Sequence, residues 1–160
     1  MRLDERDLEI LRILERDART PWSRIAKELG VSESTVYLRV RRLIEEGILE
    51  GFTVKINKRR LGLGTTLFLL IRVEAPRIKE LRAALPRVKY LSEAHEVTGE
   101  YHFLIKITAP SREEASRSMD EIASLPGVQD LRILYSIREV KRDSDTISNL
   151  LEWRAVQREP

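Results

Sequence analysis

Three arginines, Arg39, Arg41 and Arg42, fall within four positions, just after two hydroxyl residues, Ser34 and Thr35, and the pair Tyr37 and Leu38. Guanidinium groups pair with phosphate oxygens or with guanine O6 and N7, hydroxyls bond bases or phosphates, and Tyr and Leu can touch thymine methyl groups. The chemistry on offer is recognition of duplex DNA. On a helix, at about 100° per residue, Ser34, Leu38, Arg41 and Glu45 share one side, with Tyr37 and Arg42 flanking it. Val36, Val40 and Leu43 share the other. Arg41 is placed to reach guanine or phosphate, while Arg39 and Arg42 are placed to hold the backbone and set register. Ser32, the cap of this helix, joins the candidate contact set. The bland alternative for the same cluster is a solvated helix face.

A second stretch with chemistry is Val97-Thr98-Gly99-Glu100-Tyr101-His102. Thr98-Gly99 offers a tight turn whose backbone N–H groups can meet an anion such as a carboxylate. Tyr101 and His102 add polar tips beside it. The competing reading is an ordinary turn in which Gly99 serves geometry alone. Both histidines, His95 and His102, lie here, with Glu96 and Glu100 nearby. If Gly99 and Glu100 form the turn, His102 opposes Val97 rather than His95, so the pair converges poorly on a metal and no ligand set is assigned. No nucleophile–base pair or carboxylate pair stands out, so no catalytic residue and no cofactor are assigned.

The arginine cluster needs a scaffold, and the flanking sequence supplies one. Leu8, Ile10, Leu11, Ile13 and Leu14 have helical spacing, with Asp4 as cap and Asp7 three residues on as a carboxylate variant of the capping box. Thr20-Pro21 restarts the helical pattern, with Thr20 as N-cap and Pro21 at the first helical position. Ile25, Ala26 and Leu29 form its buried side. Gly30 takes the left-handed conformation that a sharp reversal needs. Helix three then runs from about Glu33 to Glu46 and stops at Gly47. Small Ala26, Gly30 four residues later and a branched apolar residue six after that give helix-turn-helix spacing. Beyond it, Ile48 to Ile56 reads as extended, with Phe52, Val54 and Ile56 on one face. Lys58-Arg59-Arg60 marks a boundary and can either graze phosphates or sit in solvent.

From Thr66 the period changes. Leu67 to Val73 reads as a strand, Pro76 to Leu85 as a helix, and Tyr90 to Val97 and Tyr101 to Ala109 as strands. Ser111 with Glu114 starts another helix, and Leu131, Ile133, Tyr135 and Ile137 alternate in a last strand. An internal echo supports two tandem units: FLLIRVEAP at Phe68 to Pro76 resembles FLIKITAP at Phe103 to Pro110, and LPRV at Leu85 to Val88 resembles LPGV at Leu125 to Val128. The order β-α-β-β-α-β predicts a ferredoxin-like sheet with helices on one face. Apolar residues also point to the other face, Leu104 and Leu134 among them, which predicts a homodimer. Asp143 to Gln157 reads as a tail helix with N-caps at Asp143 to Asp145, packed either on its own domain or across a dimer.

Composition narrows the class. No apolar run approaches the roughly 18 residues of a spanning helix, the charged N-terminus has no signal-like region, and the chain has no cysteine. The expectation is a cytoplasmic protein with no membrane partner. Its Arg, Glu and Lys content suits a thermophilic source. The net charge of +3 lies wholly in the first 60 residues, which hold 14 Lys/Arg against 11 Asp/Glu. That places the basic surface with the arginine cluster.

LDERDLEILRILERDART at Leu3 to Thr20, IAKELGVSESTVYLRVRRLIEEGIL at Ile25 to Leu49, GFTVKIN at Gly51 to Asn57 and EAHEVTGEYHFLIKI at Glu93 to Ile107 together resemble the Lrp/AsnC, or feast/famine, family of prokaryotic transcription regulators. The resemblance covers residues 3 to about 142. It implies an α+β chain: a winged-helix-like helix-turn-helix DNA-binding domain at residues 1–50, an extended linker strand at 51–65, a ferredoxin-like βαββαβ regulation and dimerisation domain at 66–142, and a tail helix at 143–160. It implies dimers, often assembled into octamers, DNA bent or wrapped around them, and amino-acid effectors bound between dimers near the hairpin. Carried onto this chain, the effector candidates are Val97, Thr98, Gly99, Glu100, Tyr101 and His102, with Ser136 on the last strand. Two features depart from the family pattern: His102 stands where Asp is common, and the tail is longer and more helical. A low-specificity architectural DNA-binding protein is the alternative. Sirohaem decarboxylases look similar in architecture, but this chain lacks their Asn-Tyr and Arg residues around the hairpin.

Overall fold

Local signals in the first 55 residues build a three-helix unit. The computed structural model describes residues 3–141 and 146–156. In it the chain forms two compact units, one made of the N-terminal residues to Lys55 with the C-terminal helix, the other of Ile56–Lys141. Helix α1 spans Glu5–Arg16, and its start is a reciprocal capping box: the Asp7 N–H donates to Asp4 Oδ1 at 2.8 Å and the Asp4 N–H to Asp7 Oδ2 at 3.1 Å. Helix α2 spans Trp22–Leu29, one residue later than the sequence suggests. Pro21 is the cap, and Thr20 instead closes the preceding turn, its hydroxyl donating to the Asp17 carbonyl at 2.8 Å. Thr20 is buried there, so its side chain is unavailable to α2.

Gly30 ends α2 at φ +63°, in the left-handed region that a side chain disfavours. Helix α3 spans Glu33–Glu45, with the Ser32 hydroxyl accepting from the Thr35 N–H. Ile10, Leu11, Leu14, Ile25, Ala26, Val36, Val40 and Leu43 form the shared core. Burying each large aliphatic side chain contributes about 1.5–3 kcal/mol.

The C-terminal helix, α6 at Thr146–Val156, packs on this same unit, with Ile147 against its core. The sequence suggests its own domain or a dimer partner; the helix instead joins the N-terminal unit of the same chain. The residues offered as its caps, Asp143 to Asp145, lie outside the described residues. A distant carboxylate serves the helix start: Glu15 of α1 accepts from the N–H groups of Thr146 and Ile147, each at 3.0 Å. Of the extended linker strand expected at 51–65, residues 51–57 adopt no regular secondary structure and Lys58–Leu61 form a 3-10 turn. Phe52 meets Trp22 edge-on, while Val54 is three-quarters exposed. Alternating apolar residues make a strand only where a neighbour supplies a ladder.

The second unit is a four-stranded antiparallel sheet in the order β2-β3-β1-β4, with β1 at Thr65–Val73, β2 at Leu91–Glu96, β3 at Phe103–Ala109 and β4 at Val128–Tyr135. Helices α4 (Ile78–Ala84) and α5 (Arg112–Ala123) are the crossovers. The first is shorter than expected, because Pro76 and Pro86 put 3-10 turns at its ends. Register follows the apolar alternation: Leu69 stands opposite Ile105 on one side and Ile133 on the other. Leu67, Leu69, Ile71, Phe103, Ile105 and Ile107 form the core with Leu81, Leu85, Ala115 and Ile122 from the helices. Ser111 caps α5 by accepting from the Glu114 N–H. Gly127 has no substitute before β4: at φ +83°, an added Cβ would stand 2.5 Å from Arg77 Cβ. The last strand stops at Tyr135 rather than Ile137, which is fully exposed.

Candidate nucleic-acid interface and ligand hairpin

The outward side of α3 carries the residues expected there. Ser34 is exposed, Tyr37 and Leu38 are 51% and 60% exposed, and the Arg41 side chain is 62% exposed. Arg41 pairs with the exposed carboxylate of Glu45, one helical turn on, at 2.8 Å. That pair holds the guanidinium pKa above its usual value, yet an exposed, solvent-screened pair of this spacing is weak and yields easily to a better anion. Ser32 contacts the hydroxyls of Ser34 and Thr35 at 2.9 and 2.7 Å, so the three form a small network at the helix start. Thr35 is half-buried within it.

Arg39 and Arg42 are placed differently from the expectation. Both turn to α1. Arg39 Nη1 donates to Asp4 Oδ2 at 2.7 Å and to Asp7 Oδ1 at 2.8 Å, and Arg42 Nη2 donates to Asp7 Oδ2 at 2.6 Å. The Asp7 side chain is 1% exposed. Burial raises the pKa of Asp4, but its hydrogen bonds with Arg39 and the Asp7 N–H outweigh that and hold it below the ordinary aspartate value. The Asp4–Asp7 role in anchoring α3 was missed at the sequence level. Its signal was present: Asp7, Leu11 and Leu14 share one stripe, and an acid on a buried stripe requires a cation.

The hairpin between β2 and β3 is pinned at several points. The Val97 N–H donates to the His102 carbonyl at 2.9 Å, the pairing that a Gly99–Glu100 turn dictates. His102 is half-buried, and its Nδ1 accepts from the Val73 N–H at 3.1 Å while its own N–H donates to Ile71. This acceptor role assigns the ring proton to Nε2. It also satisfies Val73 where β1 shifts register against β4. The Tyr101 hydroxyl donates to Asp130 at 3.0 Å, which holds the phenol pKa above its usual value, and the Arg132 guanidinium lies 5.5 Å from the ring centre. Arg72 reaches Glu100 at 3.4 Å. Thr98, Gly99 and Glu100 are exposed at the tip, with Gly99 at φ +119°.

Ser136 does not join this group within one chain. It lies one residue past β4, and its N–H donates to Thr66, near the start of β1. His102 pairs with Ile71, five residues further along the same strand. At about 3.3 Å per residue the two sites stand roughly 17 Å apart.

Comparison with known proteins agrees with both units. Residues 3–44 match the AsnC-type helix-turn-helix domain and residues 66–146 the Lrp/AsnC ligand binding domain. The chain is 33% identical over 143 residues to the HTH-type transcriptional regulator FL11 of Pyrococcus abyssi, covering 89% of this chain and 95% of that protein. The structure of AsnC from E. coli superposes with a TM-score of 0.85 at 25% identity, covering 90% of this chain and 98% of the other. The fold is also that of the transcriptional regulator NMB0573 from Neisseria meningitidis, solved as an L-Met complex, with a TM-score of 0.86, 21% identity and coverage of 94% and 99%. With a helix-turn-helix unit and a ligand-binding sheet unit both matched across nearly their whole length, the chain belongs to the Lrp/AsnC family of transcriptional regulators.

Proposed function

We propose that this regulator reads duplex DNA as a dimer or larger assembly, with one α3 per copy in a major groove and an amino acid bound between copies as effector. The observation that carries the reading is the outward face of α3, where Ser34, Leu38 and Arg41 are exposed directly after the Gly30 turn. One short helix offers few base contacts, so specificity calls for a paired reader. Ser32, Thr35 and Tyr37 complete the contact set at the helix start. The relatives are transcriptional regulators, and the proposed role is regulation in the cytoplasm rather than catalysis. Among the described residues, no helix is long and apolar enough to cross a membrane.

The sheet supports assembly. Its helix-free face carries Phe68, Leu70 and Leu104, half-buried, and Leu134, 49% exposed. Charged residues rim this patch, with Lys106 paired to Glu93 at 2.9 Å. An apolar centre with a polar rim is the anatomy of an interface. The same unit supports an effector site made from more than one copy. Val97 to His102 and Ser136 lie at opposite ends of β1, so a ligand touching both needs residues from a neighbour. The exposed N–H groups at Thr98 to Glu100 suit a carboxylate. The His102 Nδ1 is already engaged by Val73, which leaves Glu100 as the better acceptor for an ammonium group.

Selection of bound duplexes from random sequence, with and without a pool of amino acids, tests all of this. A palindromic site whose recovery shifts with one amino acid is the expected result. Uniform protection of any sequence in footprinting would replace the regulator reading with an architectural one. A clean monomer in gel filtration at micromolar concentration would remove the paired reader.

A further inference from the structure

Asp7 carries a charge into an apolar stripe. A carboxylate that is 1% exposed needs its lone pairs filled. Oδ1 accepts from Arg39 Nη1, and Oδ2 accepts from Arg42 Nη2 and the Asp4 backbone N–H. Arg39 Nη1 also reaches Asp4 Oδ2. Two carboxylates thus meet two guanidiniums, and the cluster carries no net charge. The Arg42 Nε is shut away from solvent, although 43% of the side chain is exposed. A DNA phosphate would have to draw these guanidiniums from short, charge-assisted bonds to a buried acid. Arg41 faces no such competitor, because its only ion-pair partner among the described residues, Glu45, is itself exposed.

We infer that Arg39 and Arg42 are positioning residues rather than phosphate contacts: through Asp7 they lock α3 against α1, so that Ser34, Leu38 and Arg41 face the groove. Of the three clustered arginines, Arg41 alone then adds a phosphate or base contact. The inference rests on the DNA-binding reading, and its test separates the two.

Binding to mixed-sequence duplex DNA is measured over a range of salt for the full chain and its variants. Each phosphate contact adds about 0.9 to the slope of log K against log salt on duplex DNA. Arg41→Gln lowers that slope by about one if Arg41 meets a phosphate, and relaxes specificity at one position if it reads a base. Arg39→Gln and Arg42→Gln weaken binding several-fold with the slope unchanged, and each lowers the melting midpoint. A slope loss of about one in either variant overturns the inference.

Asp7→Asn gives the decisive sign. A positioning role makes binding weaker with the slope unchanged. If the arginines are phosphate contacts that Asp7 holds back, its neutralisation makes binding tighter and the slope steeper, and the inference fails. Should these variants unfold by circular dichroism, Arg39→Lys decides. Lysine keeps the charge a phosphate wants but lacks the planar fork that bridges two carboxylates. Weaker binding at unchanged slope supports positioning, and wild-type affinity overturns it. If the unaltered chain binds no duplex, the DNA-binding reading falls. The anchoring is then read from melting of Asp7→Asn, Arg39→Lys and the double variant, where additive losses overturn it.

Discussion

The helical unit and the sheet unit solve the same problem in opposite ways. Each must bury apolar faces and satisfy the polar groups left beside them. The helical unit closes on itself: three helices surround one core, α6 adds Ile147 to it, and the buried acid Asp7 is matched from within. The sheet unit closes on one side only. Its helices cover Leu69 and Ile105, while Phe68, Leu70, Leu104 and Leu134 are left on the other face. The difference teaches a division of labour. The helical unit is held by its own contacts, whereas the sheet unit leaves one apolar face uncovered by its own helices.

The largest effect expected of breaking that self-sufficiency is at Arg39. Arg39→Ala leaves the buried Asp7 with one guanidinium, and removing one member of a buried ion pair typically costs about 3–5 kcal/mol. The remaining Arg42 bond puts the expected loss at the low end. Denaturant melting measures it, and a loss under about 0.5 kcal/mol would mean the latch is not a structural element.

The sheet unit has a milder counterpart in His102. His102→Ala orphans the Val73 N–H, at an expected cost of about 1–3 kcal/mol. His102→Asp supplies another acceptor at the family's usual residue and recovers most of that loss. Equal losses in the two variants would show that the imidazole ring, and not its acceptor atom, is what matters.

The junction of α6 with α1 comes next. Glu15→Gln removes the negative charge from the start of α6, at an expected cost of about 0.3–1 kcal/mol. Hydrogen exchange in residues 146–156 reads it directly, and unchanged protection would detach α6 from the self-closing account. Acid is the gentlest probe. The Asp4 pKa is lowered in the fold. Its stabilisation is therefore complete above the ordinary aspartate value of about 3.9 and is lost as pH falls through the lower folded value. Asp4→Asn is expected to be less stable than the native chain near neutrality and to decline less in acid; a melting profile equal to the native one at neutrality and in acid would remove Asp4 from the latch.

What was legible in the sequence was what neighbours decide. Asp4 with Asp7, Gly30, Ser32 and Ser111 are caps and turns within a few residues of what they satisfy. Val36, Val40 and Leu43, or Leu67, Leu69 and Ile71, betray a period. The outward placement of Ser34, Leu38 and Arg41 followed from that period alone, and Val97 opposite His102 followed from turn geometry. Thr20 was misread because two local uses competed for one hydroxyl, and packing chose the turn. Residues 51–57 alternate as a strand does, but alternation specifies a face, not a partner to bond to.

The amino-acid sequence by itself determined the order of the main elements, the division into two units and the face that α3 turns to solvent, because short-range propensity and period suffice for these. Tertiary structure alone decided that Arg39 and Arg42 pair with the acids of α1 while Arg41 pairs only with exposed Glu45 among the described carboxylates, that Glu15 starts a helix 131 residues away, and that His102 serves Val73. An ion pair or hydrogen bond between distant residues depends on where folding brings two groups together in low dielectric. A pattern of charges along a chain carries no record of that distance.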